Sequence, residues 1–372
     1  MKYAQSRADL DMHIPDGYLS PSTCAVLYAA AIAGWYSALK RLKRMLLSRM
    51  VPLISVFAAF SFVVMMFNLP LPGGTTGHAL GVTIVAIVLG PSGAILAISM
   101  ALAIQALFFG DGGISTLGAN CFNMAIVAAL VAYASYRLIA AGASITSRRR
   151  VAAAAIAGYL AVNAAALIAA IEFGIQPGLF HDARGMPLYA PYPLSIAVPA
   201  MMIGHLTLAG LAEAVISAGL VAYLQAADPA LLRNTAGVPP ATQAAPEIMP
   251  AATNSLRRLW VAVALLMVLT PLGILAAGKA WGEWSPSDLA TRQSQAQATA
   301  AASDGLQSQA IPAGMQRLSK LWSAPFPAYA PTFVRSARFG YFLSAMFAVG
   351  VLLLVSLAMQ QWVQRRREAG QS

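Results

Sequence analysis

The chain has 372 residues, 59% of them hydrophobic and only 10% Asp, Glu, Lys or Arg, with a mean hydropathy of +0.67. A water-soluble domain carries about 25% charged residues. This composition therefore excludes a soluble enzyme and a disordered chain, and two cysteines, Cys24 and Cys121, exclude a disulfide scaffold. A net charge of +11 would suggest nucleic acid in a soluble protein. Here Lys and Arg sit in short clusters between apolar runs, which signals membrane topology and no nucleic-acid partner.

In chain order, residues 1–11 are polar and lack the apolar stretch of a signal peptide. No Asp, Glu, Lys or Arg occurs between Met50 and Gly110, a length sufficient for three helices. Turn residues divide that stretch at Leu69-Pro-Leu-Pro-Gly-Gly74 and at Gly90-Pro91-Ser92. Apolar periods place helices near 22–39, 51–68, 78–90, 92–109, 115–139, 151–172 and 194–224, the third being short for a full span. Two more follow near 259–278 and 339–363. The fold class is all-α, a polytopic helical bundle with seven core helices and two in a C-terminal unit.

The basic clusters are Lys40 to Arg49, Arg137 with Arg148 to Arg150, Arg233 with Arg257 and Arg258, and Arg365 to Arg367. With nine helices they all fall on one side, which places the N-terminus outside and the C-terminus in the cytoplasm. The stretch 226–256 is rich in Ala, Pro, Thr and Gln and reads as a cytoplasmic linker. It divides a membrane domain at 12–225 from a two-helix unit at 257–372. That unit carries an outer loop at 279–338, whose Ser/Gln/Ala-rich centre reads as mobile.

Four histidines are present: His13, His78, His181 and His205. Imidazole is a common ligand for Ni, Co, Cu and Zn. His13 and His78 both fall on the outer side, His78 after a glycine-rich approach that permits close backbone contact with a ligand. Taken singly, each also reads as a solvated or capping histidine, and Asp111 reads as a helix cap. Gln105, Asn120 and Asn123 lie in apolar helices, so they need partners and face the protein interior. His205 and Glu213 lie eight residues apart on one helix face. They read equally as interhelical contacts and as a functional relay or docking pair.

Four segments then carry a resemblance. Met12-His-Ile-Pro-Asp-Gly-Tyr-Leu-Ser-Pro21, Leu71-Pro-Gly-Gly-Thr-Thr-Gly-His78, Phe108-Phe-Gly-Asp-Gly-Gly113 and Gly118-Ala-Asn-Cys-Phe-Asn-Met124 together resemble the substrate-capture M component of energy-coupling-factor nickel and cobalt importers. The likeness covers about residues 12–225. The C-terminal unit is similar to the small N component of those importers, through Pro271-Leu-Gly and Ala280-Trp-Gly-Glu-Trp284.

The resemblance implies capture of Ni²⁺ or Co²⁺ from outside, the latter serving cobalamin synthesis. It implies ligation by the Met12 amine, the His13 amide, the His13 imidazole and the His78 imidazole. Ile14-Pro15-Asp16 resembles the nickel-type starts of the family. The chain would be a transport component and not an enzyme, with the metal as cargo and no permanent cofactor. Its implied partners are a membrane coupling subunit and cytoplasmic ATPases, and the chain contains no G-x-x-x-x-G-K-[S/T] nucleotide loop. A free amine at Met12 requires that residues 1–11 be absent, so translation is expected to begin at Met12. The competing reading is an ion-coupled metal transporter or channel with a His205–Glu213 proton relay. A membrane metalloenzyme lacks support, since there is no H-E-x-x-H.

Overall fold

The computed structural model describes residues 13–44, 47–71, 75–233, 251–275, 311–329, 331 and 333–369. Residues 1–11, Met12, most of the 226–256 linker, the Gly73–Gly74 approach and Ala280-Trp-Gly-Glu-Trp284 lie outside the described residues. The architecture is an all-α polytopic bundle. Helices α1 (Pro21–Arg44) and α2 (Leu47–Met65) come first. A small antiparallel hairpin follows, β1 (Leu69–Leu71) with β2 (Thr75–Gly77), Leu69 opposite Gly77.

The next helical stretch, Val82–Phe109, has 28 residues. A straight helix of that length would hold its ends about 40 Å apart. Yet His78, just before it, stacks on His13, and Asp111, just after it, pairs with the same His13. The chain therefore doubles back inside the stretch. The reversal is at Gly90, whose φ of 74° and ψ of 170° are not helical and suit only glycine. Pro91 then opens the returning limb, where a missing N–H costs nothing. Two helices result, α3 (82–89) and α4 (91–109). The expected break at Gly90-Pro91-Ser92 is thus a hairpin between two helices. The expected start of helix three at 78 shifts to 82, because Gly81 has a left-handed backbone (φ 67°).

Helices α5 (Leu117–Ile139), α6 (Arg148–Gly174) and α7 (Leu194–Ala227) complete the core. All eight residues of α3 are buried, as a helix apolar on every face requires. Small residues let α6 approach α7: a Cβ on Gly158 would lie 2.8 Å from Ser217 Oγ. In the C-terminal unit, α8 (Ala251–Leu269) and α9 (Ala337–Ala369) pack on α2, and Tyr341 Oη donates to the Met66 carbonyl at 2.9 Å. The expected helix to 278 ends early: Pro271 follows, and Thr270–Leu275 tightens into a 3₁₀ turn. Among the described residues, length and hydropathy allow seven stretches to cross a membrane, so the chain is an integral membrane protein.

Among the described residues, π-helical turns occur at Gln105–Phe109, Cys121–Val127 and His205–Ala209. Each contains a polar residue singled out from the sequence: Gln105, Asn123 or His205. Such turns commonly re-aim side chains at functional sites.

Candidate metal centre

The segment 13–20 before α1 is folded inward, and its first residues are fixed to the loop between α4 and α5 and to the first turn of α5. Ile14 N donates to Asn120 Oδ1 at 2.9 Å, and Asn120 Nδ2 returns a bond to the Ile14 carbonyl at 3.1 Å. Gly113 N donates to that same carbonyl at 3.0 Å. The Asp16 carboxylate accepts from Ile114 N (3.1 Å), from Ser115 N (2.7 Å) and from the Ser115 hydroxyl. These bonds require close backbone approach. A Cβ on Gly112 (φ 80°) would lie 2.9 Å from His13 Cβ and 2.9 Å from Asn120 Nδ2.

This strapping places His13 against His78, with ring centroids 5.3 Å apart, planes at 30° and both side chains 1% exposed. His78 Nδ1 lies 3.0 Å from the Ala79 carbonyl. A bond donated there fixes the tautomer with its lone pair on Nε2, the usual arrangement of a ligating imidazole. Burial, and after it the neighbouring His13, push the His78 imidazole down to about 3. It is therefore neutral at physiological pH, as a metal ligand must be.

Asp111, expected at a helix cap, instead contacts His13 Nδ1. Its other oxygen accepts from Gln105 Nε2 at 3.2 Å and from the Tyr329 hydroxyl. Tyr329 belongs to the C-terminal unit. It also lies 3.2 Å from Gln105 Nε2 and stacks on Phe109, ring centroids 4.7 Å apart. A chain of polar contacts therefore runs from the C-terminal unit through Asp111 to His13.

The remaining candidates surround this centre. Asn120, Asn123 and His205 line a cavity of about 20 Å³ with Ile14, Leu80 and Met201, room for one water molecule. Asn123 Nδ2 donates to Glu172 Oε2 at 2.8 Å. His205 Nδ1 is 2.8 Å from its own helix's Met201 carbonyl. Glu213 faces the 80–83 backbone. His205 and Glu213 thus serve different partners, and no described bond joins them into a relay. His181 lies apart, in a surface turn bridged to Pro187.

Sequence reasoning overlooked Glu172 and Tyr329. An acidic residue at the end of an apolar helical run was a readable signal for Glu172. Tyr329 carried none, because its contact with Asp111 spans 218 residues.

The family model for the cobalt uptake substrate-specific transmembrane region, CbiM, matches residues 13–231. The chain belongs to the CbiM family. The fused nickel transport protein NikMN of Rhodobacter capsulatus is 55% identical over 343 residues, which covers 92% of this chain and 95% of that protein. A probable fused nickel transport protein, LarMN of Lactiplantibacillus plantarum, is 40% identical over 352 residues, covering 94% and 98%. A crystal structure described as a truncated transition metal transporter is 52% identical with a TM-score of 0.54, covering 57% of this chain and 98% of that one. The CbiM match contains every described residue of the centre except Tyr329. The likeness to fused relatives extends beyond it across the C-terminal unit, as expected for an M component joined to an N-like unit.

Proposed function

We propose that the protein is the metal-capture component of an ATP-driven importer for Ni²⁺ or Co²⁺ in the bacterial plasma membrane. Its N-terminus lies outside and its C-terminus in the cytoplasm, in keeping with the basic clusters. The observation that carries this reading is the pairing of two buried imidazoles, His13 on a segment strapped into the bundle and His78 in the connection before α3. The cargo is held by the Met12 amine, the His13 amide, the His13 imidazole and the His78 imidazole. Four nitrogens in a plane suit Ni(II) and accommodate Co(II). Chelation together with the His13 amide uses His13 Nδ1, the atom that Asp111 contacts, so Asp111 holds the ring in place before loading and yields that nitrogen to the metal. Energy comes from cytoplasmic ATPases through a membrane coupling subunit, and the relatives named as nickel transport proteins support a metal cargo.

Metal analysis of the purified chain that begins at Met12, after exposure to Ni²⁺ or Co²⁺, is expected to find one ion per chain. Uptake in cells is expected to require co-expressed ATPase and coupling subunits. A chain that binds neither ion, or full uptake without an ATPase, would overturn the reading.

Two further outcomes follow from the geometry. Gly112→Ala places a methyl group against His13 at a backbone angle that side chains disfavour. Ni²⁺ affinity should fall by about tenfold, the low end for disturbed outer-shell support, as calorimetry would show. Tyr329→Phe removes one donor from Asp111, and affinity should fall by about tenfold, the size of one charge-assisted hydrogen bond. Equal titration curves for Tyr329→Phe and the native chain would mean that the C-terminal unit does not reach the centre functionally.

A further inference from the structure

Glu213 lies on α7 and is fully buried, at 0% exposure. A carboxylate in such surroundings is costly unless several donors satisfy it. The donors are backbone amides of another part of the chain. Leu80 N and Gly81 N each bond Oε2 at 2.8 Å. Thr83 N bonds Oε1 at 3.4 Å, and the Ser217 hydroxyl lies at the same distance. These are the amides that open α3. The residue in the capping position is Gly81, which supplies no side-chain bond of its own. Helix starts have open N–H groups and a partial positive charge. Glu213 fills that role from a different helix.

The bonded amides begin two residues after His78. On the near side, the His78 ring is tied to the Ala79 carbonyl. On the far side, Glu213 holds residues 80–83. The short connection carrying His78 is therefore gripped between its own imidazole and a carboxylate on α7. Gly158 makes the grip possible, because a Cβ there would lie 3.2 Å from Glu213 Cγ.

We propose that Glu213 is a positioning residue for His78: it sets the imidazole against His13 and links that ligand mechanically to α7. The inference rests on the reading of His78 as a metal ligand. It assigns Glu213 neither proton transfer nor direct contact with the metal. Any tilt of α7 would be passed through three hydrogen bonds to one ligand of the capture site.

The test uses the chain that begins at Met12, complete to its C-terminus and in detergent, with Ni²⁺ titration and the ligand-field absorption of the bound ion. Glu213→Ala is expected to lower affinity between tenfold and a hundredfold, the range for lost outer-shell support of a ligand, and to shift the absorption band. Glu213→Gln keeps one carbonyl oxygen for Leu80 and Gly81 and should fall between the native chain and Glu213→Ala. General loosening of the bundle would reduce the metal bound without moving the band. A folded Glu213→Ala chain with native affinity and a native band would overturn the inference. If Glu213→Ala does not fold, Glu213→Gln decides: a weakened, shifted spectrum upholds the role and a native one ends it. His78→Ala in the same assay separates the two levels. Retained binding there defeats the site itself, whereas lost binding beside unaffected Glu213 variants defeats only the role of Glu213.

Discussion

His78→Ala should abolish high-affinity Ni²⁺ binding while leaving an inserted, folded protein. The proposed centre has four nitrogens, and this substitution removes the only one supplied from outside the N-terminal segment. No nearby histidine can replace it: His205 is turned to its own Met201 carbonyl, and His181 sits in a surface turn. The fold should survive because His78 lies in the connection before α3 and not within a spanning helix. The losses include the bond to the Ala79 carbonyl and the stacking on His13, and a buried polar group left without its partner costs on the order of 1–3 kcal/mol. The Glu213 bonds to residues 80–83 remain. Metal stoichiometry by elemental analysis, beside a thermal unfolding curve, measures both parts. His181→Ala serves as the comparison and should bind as the native chain does. Unchanged stoichiometry and affinity in His78→Ala would remove the proposed site.

Much of the bundle could be read before any coordinates, and the reasons are physical. Apolar runs of spanning length are constrained by the bilayer, so helices α1, α4, α5, α6 and α7 appear close to their expected places. The turn at Gly90 was also readable, because Gly-Pro between apolar runs has few other uses. Hidden from the sequence was how tightly that turn closes. The meeting of His78 and Asp111 at His13, together with the non-helical backbone of Gly90, shows that the 28-residue stretch is two helices. The polar residues were visible as anomalies in apolar surroundings, but their partners were not. Asn120 had to find something to bond, and nothing local indicated that it would hold both backbone groups of Ile14. The same holds for Asp111 with Tyr329 and for Glu213 with residues 80–83. Partners more than a hundred residues apart are set by tertiary packing, which leaves no periodicity in the sequence.

The chain beginning at Met12 should bind Ni²⁺ tightly, and the 372-residue chain weakly. A ligand set that includes an amine at residue 12 exists only when nothing precedes that residue. With residues 1–11 attached, the nitrogen of Met12 is a peptide amide, which gives up its proton far less readily than an ammonium group. The surroundings also resist a shift. His13 is 1% exposed, Ile14 is held through both backbone groups by Asn120, and a Cβ added to Gly17 (φ 94°) would lie 2.6 Å from the Met315 carbonyl oxygen, so the turn has no room to shift. Residues 13 and 14 are therefore fixed, and a longer chain cannot re-register to bring another nitrogen to the metal. Each tenfold loss corresponds to about 1.4 kcal/mol, so loss of one nitrogen from four is readily measured. Proton competition gives an independent sign. An α-amino group titrates near about 8, whereas His78 is held neutral down to about 3. Affinity of the Met12 form should therefore fall as the pH drops below about 8, because the amine must shed its proton to bind. N-terminal sequencing of the native protein, followed by calorimetry of both forms between pH 6 and pH 9, covers each point. Tight and equal binding by the two forms, with Met1 intact, would show that the fourth nitrogen comes from elsewhere.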